Sequence, residues 1–295
     1  MIERFRAGLA RYAVFGLEKV VILYLSLLLA GCSSLMSSVT SKMAADLGAS
    51  ILDSDDPKTV EQGVPAYLLM VDSFLRSSPD NPDLLMAAAG LNGSFVLFTD
   101  EERARLLSNK SLDYASRAAC LEIAAICNPG GIPYEQFVEQ VGRLKEKNLS
   151  IIYSLAVAWI GWIQANSGDW NAIAQLNRAR VLMEKVIELD PAHEGGNAQL
   201  YMGGLETLLP ASMGGNPEKG RQHFEQAIKM SGGKNQMARV VYARQYARLV
   251  FDKALHDKLL KEAIDADPRV EGLTLINTLA QEQAKILLAE SDDYF

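Results

Sequence analysis

The residues that most often carry out catalysis are few in this sequence, and they form no recognisable motif. The three histidines, His193, His223 and His256, are widely separated, and none belongs to an HExxH or Cys-His cluster. Ser212 and Ser231 lack the Gly-x-Ser-x-Gly setting of an activated serine. We therefore expect surface or interhelix roles for the histidines, no metal site and no enzymatic activity. A pair of catalytic carboxylates stays open, because the spacing of such a pair is spatial.

A glycine-rich stretch at residues 213–221 invites comparison with a phosphate-binding loop. Gly215 and Gly220 have the Walker spacing, but the Lys-Ser/Thr pair that should follow is absent. The stretch also follows a predicted helix, where the motif requires a strand. We interpret it as a linker in which Asn216 and Pro217 start the next helix.

Cys32 is the residue whose setting predicts a covalent modification. With Leu29, Ala30 and Gly31 it matches the lipobox of bacterial lipoproteins, and it follows a basic segment and the apolar run 20–30, as in a secretory signal. An eleven-residue helix spans about 16 Å, against a hydrocarbon core of about 30 Å. We predict cleavage between Gly31 and Cys32, a diacylglyceryl group on the thiol, an acyl group on the new N-terminus, and no other cofactor.

The predicted lipid anchor and the charge together indicate where the protein acts. Two or more acyl chains hold a protein stably on a membrane. Ser33 stands where an aspartate would favour inner-membrane retention, so we expect the periplasmic face of a Gram-negative membrane, with the outer membrane favoured. Removing residues 1–31 takes four of the 29 basic and two of the 36 acidic residues, which leaves a net charge near −9. Such a chain is a poor candidate for binding nucleic acid.

Two cysteines remain after Cys32. If one helix carried both Cys120 and Cys127, their Cα atoms would lie about 10 Å apart, beyond the roughly 7 Å limit for a disulfide. A bridge would require the helix to break before residues 128–131. We expect two unpaired, small core residues instead.

Helical signals recur along the rest of the chain, and strand signals do not. We predict a signal peptide at 1–31, a lipidated tether at 32–56 and a single helical domain at 57–295. The first helix shows Tyr67, Val71, Phe74 and Leu75 on one face. The remaining helices are predicted at 84–98, 101–126, 134–147, 149–165, 172–189, 197–209, 217–231, 234–251, 253–266 and 272–290. No segment after the signal is expected to be long and apolar enough to cross a bilayer.

A degenerate repeat underlies these helices. Ala179, Met183, Val186 and Pro191 fit the spacing of the second helix of a tetratricopeptide repeat, although the usual signature of the first helix is absent. We therefore predict an all-α fold, a tetratricopeptide-like solenoid or bundle of about 10–12 antiparallel helices with a concave binding face.

One predicted helix is unusually apolar. It carries Tyr153, Trp159 and Trp162, and Trp170 follows shortly after it. These residues either line a pocket or an oligomer contact, or they form the central core helix of the repeat array. We take all four as candidate pocket or interface residues.

Several stretches together resemble the TatT family, lipoproteins associated with tripartite ATP-independent periplasmic (TRAP) transporters. They include residues 63–69, 79–82, 162–170, 231–235 and 284–295, and the most specific is Leu208 to Glu218 (LLPASMGGNPE). Within that block, Pro210 and Met213 are further candidate pocket or interface residues. We expect Pro210 to end one helix and the two glycines to permit a tight reversal.

The resemblance implies a non-enzymatic periplasmic lipoprotein that docks the solute-binding protein of a TRAP transporter. It also implies a homo-oligomer with a ligand passage, which could shelter a small organic acid or an apolar ligand. Two other functions stay open at this point. One is a repeat scaffold for the assembly of envelope or outer-membrane proteins, and the other is an α-helical hydrolase or lyase acting on cell-wall glycan.

Overall fold

A computed structural model describes residues 48–295 of the chain. The predicted signal peptide, Cys32 and most of the predicted tether lie outside the described residues. The chain divides into two units, residues 1–52 and Asp53–Phe295. Residues 48–52, the described end of the first unit, are helical. The second unit contains every element considered below.

The second unit is built from α-helices, and no strand occurs among residues 48–295, which confirms the predicted fold class. A six-residue π-helix, Tyr242–Ala247, continues one of the α-helices. We number the α-helices in chain order as α1 Pro57–Ser77, α2 Pro82–Phe95, α3 Glu101–Glu122, α4 Tyr134–Gly142, α5 Leu149–Ala165, α6 Trp170–Ile173, α7 Leu176–Leu189, α8 His193–Thr207, α9 Pro217–Met230, α10 Gln236–Val241, α11 Lys253–Asp265, α12 Thr274–Ala289 and α13 Ser291–Tyr294.

Several helices begin at a polar side chain that accepts a hydrogen bond from a backbone N–H of the first turn. Asp56, Asn81 and Asn216 cap α1, α2 and α9 in this way, and a proline follows each cap. Proline fits the first helical position because its missing N–H would have no partner within the helix there. These caps fix where the helices start, as the sequence predicts for Asn81 and Asn216.

The helices pair as in a tetratricopeptide array. The pairs are α2 with α3, α5 with α7, α8 with α9, and α10 plus its π-helical continuation with α11; α1 packs before the first pair and α12 after the last. The first helices of successive pairs also pack on one another, and α12 continues that series. The second helices do not pack on one another to a comparable extent. The first helices are therefore closer together than the second, so the array curves with the first helices on its concave side.

We call that concave layer, formed by α2, α5, α8, α10 with the π-helix, and α12, the inner wall. The curvature brings α12 against α1 at the other end of the array. Two contacts close this seam: Asp53 accepts a 2.5 Å hydrogen bond from the backbone N–H of Gly272, and Asp55 pairs with Arg269 at 2.9 Å. The aspartates predicted as part of the tether thus bond to the packed unit.

Because the pairs stack in the same orientation, their connections fall at two opposite edges of the array. The connections inside the pairs lie at one edge, and those between pairs lie at the other. Side-chain contacts agree with this assignment. Trp162 near the end of α5 meets Asn109 in the first half of α3, and Arg239 in α10 meets Glu262 near the end of α11.

The connection between α3 and α5 contains a disulfide that the sequence reading did not favour. Cys120 and Cys127 are bonded, so the expectation of two unpaired core cysteines is wrong. The physical reason is that α3 ends at Glu122 and the backbone of Ile123 leaves the helical region, which brings the two Cα atoms to 4.1 Å. The predicted helix 101–126 is therefore a helix followed by a separate 3₁₀ turn.

Two further expectations need correction. In α1 the buried side chains are Val60, Val64, Leu68 and Leu75, whereas Phe74 is exposed. By length and composition, the segment Glu146–Ala165 could cross a membrane, contrary to the expectation that no segment could. In the array its helix α5 packs against α2, α3 and α7, and eight of its side chains are buried by that packing.

Candidate functional site

The structure separates the candidate residues of the apolar helix α5. Trp159 is buried in the core, with its ring 6.2 Å from that of Phe137 and nearly perpendicular to it. Trp162 is half-buried, and its indole N–H donates to Asn109 Oδ1 at 2.6 Å. Trp159 is therefore a core residue, as one of the two interpretations has it, and Trp162 joins α5 to α3.

Tyr153 lies at the other end of α5, in an aromatic cluster with α8. Its ring centroid is 4.8 Å from that of His193 and 6.4 Å from that of Tyr201. Burial raises the pKa of both tyrosines, and the pKa of Tyr153 is raised further by Tyr201 and by the carboxylate of Glu194. Both phenols therefore stay neutral near pH 7, which suits packing and hydrogen bonding but provides no general base.

The glycine-rich block 208–218 forms the connection between α8 and α9. Gly214 has a left-handed φ of 92°, and the N–H of Gly215 donates to the carbonyl of Pro210 at 3.1 Å. A β-carbon at Gly215 would lie 1.7 Å from the carbonyl oxygen of Leu209, so no other residue fits this reversal. The interpretation of this block as a linker and tight reversal is confirmed.

A buried carboxylate beneath this block was missed by sequence reasoning. Glu206 in α8 is almost fully buried, and its Oε1 lies 3.1 Å from Arg180 Nε and 3.5 Å from Lys219 Nζ. Lys219 also pairs with Glu184 at 3.4 Å. The two cations compensate the desolvation of Glu206 and join α7, α8 and α9. No spacing signal could identify these partners, because they come from three helices.

The histidines lie between helices or against them. His223 Nδ1 is 2.6 Å from Gln199 Oε1, and burial, with help from Lys219, lowers the pKa of this histidine. A polar cavity of about 380 Å³ lies beside it, lined by Gln199, Lys219, Gln222, His223, Glu225 and Gln226. A neutral imidazole here holds α8 against α9.

His256, Asp257 and Ser291 have the residue types of a serine-type catalytic set. His256 Nδ1 is 3.0 Å from Asp257 Oδ1, but Ser291 Oγ donates to that same carboxylate at 2.6 Å, and His256 Nε2 is buried without a partner. A nucleophilic serine would instead have to reach the imidazole. This geometry therefore fastens α11 to α13 and does not activate Ser291. No group of three or more potential metal-ligating side chains is found among residues 48–295.

The remaining candidates lie at the edge formed by the connections inside the pairs. Trp170 is 72 % exposed between α5 and α7, Met213 is exposed between α8 and α9, and Pro210 is half-buried beside it. The other within-pair connections also expose large apolar side chains. We call this set the apolar edge: Leu97, Trp170, Met213, Leu249, Val250 and Phe251.

The opposite edge differs in composition. The connections 78–81, 190–192, 231–235 and 266–273 contain serines, aspartates, glycines, prolines and charged residues, and none of these described segments exposes a large hydrophobic side chain. The longer connection between α3 and α5 is an exception, because Tyr134 and Val138 of α4 are exposed there. The two edges of the array therefore offer different surfaces to a partner.

The chain was compared with families and proteins that are already described. No curated protein matches it. Residues 53–295, which make up the whole packed unit, match the model of the TRAP transporter T-component family. The chain therefore belongs to the TRAP transporter T-component family, and it is an accessory component of such a transporter in the cell envelope.

Proposed function

We propose that the protein is a lipid-anchored, non-enzymatic adaptor that docks the solute-binding protein of its transporter through the apolar edge. In this proposal Cys32 carries the diacylglyceryl and acyl groups and holds the protein at the periplasmic face of a Gram-negative membrane, with the outer membrane favoured. The inner wall shelters a small organic acid or an apolar ligand, and the protein works as a homo-oligomer.

The observation that carries the docking proposal is the concentration of exposed apolar residues at one edge. Trp170, Met213 and Phe251 come from three successive pairs, and each is more than half exposed. Aromatic residues and methionine are enriched at protein interfaces, and contiguous exposed apolar surface usually marks an interaction site. At the opposite edge, among the described connections, only the one between α3 and α5 exposes large apolar side chains, Tyr134 and Val138.

The backbone of Phe251 adds support. Its φ is 58°, a left-handed value that a bulky residue rarely adopts, yet its side chain is 64 % exposed. Such a conformation costs about 1–3 kcal/mol and tends to occur where function requires it. The ring lies 5.1 Å from that of Phe295 and 6.4 Å from that of Tyr294, which extends the apolar surface.

Crosslinking at the two edges tests the docking proposal. A photo-reactive amino acid is placed at Trp170, at Met213 or, as the matched control, at the exposed Lys234 of the polar edge. Each variant is mixed with the solute-binding protein of the same transporter and irradiated. We expect crosslinks from Trp170 and Met213 and none from Lys234. Crosslinks from Lys234 alone would overturn the assignment of the edge. A protein that never crosslinks to the solute-binding protein would overturn docking itself and favour an assembly scaffold.

The anchor is tested by replacing Cys32. Since residues 48–52 are helical, residues 33–47 would give a reach of up to roughly 50 Å at about 3.3 Å per residue if fully extended. Cys32→Ser should release a folded protein that still crosslinks at Trp170. If the released protein lost its partner, the lipid would have to contribute to docking as well as to attachment.

A further inference from the structure

Helix α1 has an exposed apolar face that contributes neither to the packing of the array nor to the apolar edge. Leu69 is 73 % exposed, and Met70 and Phe74 are exposed as well. Ala66 and Ser73 are exposed between them. Intervals of three and four residues place side chains on one side of a helix. We call these five residues, at positions 66, 69, 70, 73 and 74, the α1 face.

The α1 face carries no charge. Asp72 is the only charged residue from position 62 to position 75, and it accepts hydrogen bonds from two side chains of α3. The end helices of a repeat array normally have a polar outer surface, because no further repeat covers them. Helix α12 contacts α1 but leaves the α1 face exposed. An apolar outer surface at this end of the array therefore indicates that a partner covers it.

The apolar surface continues onto α3 through Leu106, which is 60 % exposed. Helices α1 and α3 run parallel, with Asp72 beside Lys110 and the end of α1 beside the later part of α3. Leu69 lies about one turn before Asp72, and Leu106 lies about one turn before Lys110. The two leucines are therefore at the same level, and the surface extends from one helix to the other.

Two arginines border this surface without a carboxylate partner. Arg76 follows Phe74 at the end of α1, Arg103 precedes Leu106 on α3, and both are exposed. The other cations of α1 and α3 form ion pairs, whereas these two form none with a described residue. Their guanidinium groups can donate hydrogen bonds to phosphate oxygens. Glu102 is exposed in the same region and also has no ion pair with a described residue, so apolar contact must provide most of the attraction.

The chain before α1 indicates the chemistry of the partner. Cys32, the predicted lipidation site, precedes α1, and residues 33–47 reach roughly 50 Å at most. Helix α1 has 21 residues and is about 32 Å long, so its whole length stays within reach of a membrane that holds the lipid. A second copy of the chain fits this surface less well. Each partner in a stable dimer buries about 800 Å², and four large side chains offer only a few hundred Å².

We propose that the α1 face and Leu106 lie against the lipid surface to which Cys32 anchors the chain. Helix α1 is then an interfacial helix, with its apolar side chains about 5–10 Å deep at the boundary between headgroups and acyl chains. Because the acyl groups already hold the chain, this contact is intramolecular, and a small face is sufficient to orient the array. The inference rests on the anchor of the proposed function and adds the surface that meets the membrane.

This orientation leaves the apolar edge free for the solute-binding protein. Helix α1 begins after the seam at Asp53 and Asp55, and it ends before the connection 78–81 of the polar edge. It therefore runs from one edge of the array to the other, and its outward face belongs to neither edge. An array that lies on α1 presents the apolar edge sideways, along the membrane surface.

Fluorescence from a label on the α1 face tests the orientation. The full chain with acylated Cys32 is reconstituted into vesicles of phosphatidylethanolamine and phosphatidylglycerol, and mass spectrometry verifies the acyl groups. An environment-sensitive dye is attached in Ser73→Cys or, as the control position, in Lys261→Cys on the exposed side of α11. Cys120 and Cys127 form a disulfide and do not take the dye. Nitroxide-bearing lipids report contact by quenching. We expect blue-shifted emission and quenching at position 73 and neither at position 261.

A second pair of variants tests whether the apolar side chains make the contact. In the Ser73→Cys protein, Leu69→Ser with Phe74→Ser should abolish both signals while the protein stays bound to the vesicles. Val138→Ser with Ile286→Ser removes two exposed apolar side chains from α4 and α12 and, as the matched control, should leave the signals unchanged. Thermal melting verifies that each variant folds. Signals that persist without Leu69 and Phe74 would overturn the inference.

Other results would overturn it in ways that separate it from the anchor. Equal signals at positions 73 and 261 of an acylated, vesicle-bound protein would leave the anchor standing and exclude contact at α1. A blue shift that appears without vesicles and grows with protein concentration would assign the α1 face to a second copy of the chain. A chain without acyl groups would refute the anchor of the proposed function and, with it, this inference.

Discussion

The two halves of the array are held together by different kinds of interaction. From Leu75 to Leu205, one continuous cluster of buried apolar side chains joins α1 to α8. In the second half, the buried apolar side chains lie outside that cluster, and buried polar side chains also connect the helices at separate points. Asn277 of α12 is fully buried; it accepts the N–H of Gln236 at 2.9 Å and donates to the carbonyls of Lys234 and Pro268.

Gln281 makes a similar connection one turn later. Its amide nitrogen lies within 3.1 Å of three carbonyl oxygens at the end of α11, those of Ala263, Ile264 and Ala266. Apolar burial is graded and has no direction, whereas each of these bonds requires one geometry. The first half should therefore resist unfolding through its total buried area. The second half should depend more on a few residues.

The largest expected effect is that of a cavity in the apolar half. Ile160→Ala removes a fully buried side chain from α5 and should lower the free energy of unfolding by about 2–5 kcal/mol. Val157→Ala, on the same helix but half-buried on the inner wall, is the matched control and should cost about 1 kcal/mol or less. Denaturant unfolding of both variants measures the difference. Equal and small costs would contradict the view that continuous packing holds this half.

Loss of a buried polar contact in the second half should have the next largest effect on stability. Asn277→Ala leaves the buried N–H of Gln236 and two carbonyls without their partner, which should cost about 1–3 kcal/mol. The cost should be local, so amide hydrogen exchange should accelerate at Gln236. Thr278→Ala is the control, since that hydroxyl bonds only within its own helix, to Thr274 at 2.9 Å. Similar exchange rates in the two variants would show that the hydrogen bonds of Asn277 do not stabilise this region.

This contrast explains how much of the fold could be predicted from the sequence. In the apolar half, α5 was predicted at its observed bounds, because a long apolar segment after Asn148 leaves few alternatives. In the second half, a helix at 234–251 was predicted, but the structure divides it into α10 and the π-helix. That division depends on packing against α8 and α11, and no local pattern encodes it.

The candidate residues also divide into those that a local pattern identifies and those that depend on contacts between helices. Trp170 could be singled out because it follows the apolar helix α5, and Met213 because it lies in the block LLPASMGGNPE. Glu206 could not, because what distinguishes it is its charged partners, Arg180 and Lys219, on other helices. Helix periodicity gives the face of a residue on its own helix, but it does not give the residues that face it.

Removing the disulfide tests the long connection of the apolar half. By loop length, a bridge across seven residues contributes about 2 kcal/mol, so Cys120→Ser with Cys127→Ser should lower stability by about that amount. Arg178 should keep part of the connection in place without the disulfide, because it donates hydrogen bonds to the carbonyls of Pro129 and Ile132 and covers the ring of Phe137. Melting of the wild type with and without reductant provides the comparison. A reduced wild type as stable as the oxidised one would show that packing alone holds this connection.

The smallest effect should come from the polar contacts of Asp72, which join α1 to α3. Asp72 accepts hydrogen bonds from Tyr114 Oη and Lys110 Nζ, each at 2.7 Å. Burial and then the bond to Asp72 raise the pKa of Tyr114 to about 12. The folded state therefore favours the neutral phenol. The stabilisation that results is fully present below the unfolded pKa of about 10, and it is lost as the pH rises through the folded pKa of about 12.

Because the contact is partly open to solvent, we expect it to be worth less than about 1 kcal/mol. Tyr114→Phe should be slightly less stable than the wild type at pH 8, and the difference should shrink above pH 10 and disappear only above about pH 12, as measured by unfolding at a series of pH values. Lys110 pairs with Asp72 whether or not the phenol is present, so that ion pair should keep α1 in place in the variant. A loss as large as that of Asn277→Ala would mean that the first half also depends on single polar bonds. The contrast between the halves would then lie in the number of such bonds and not in their kind.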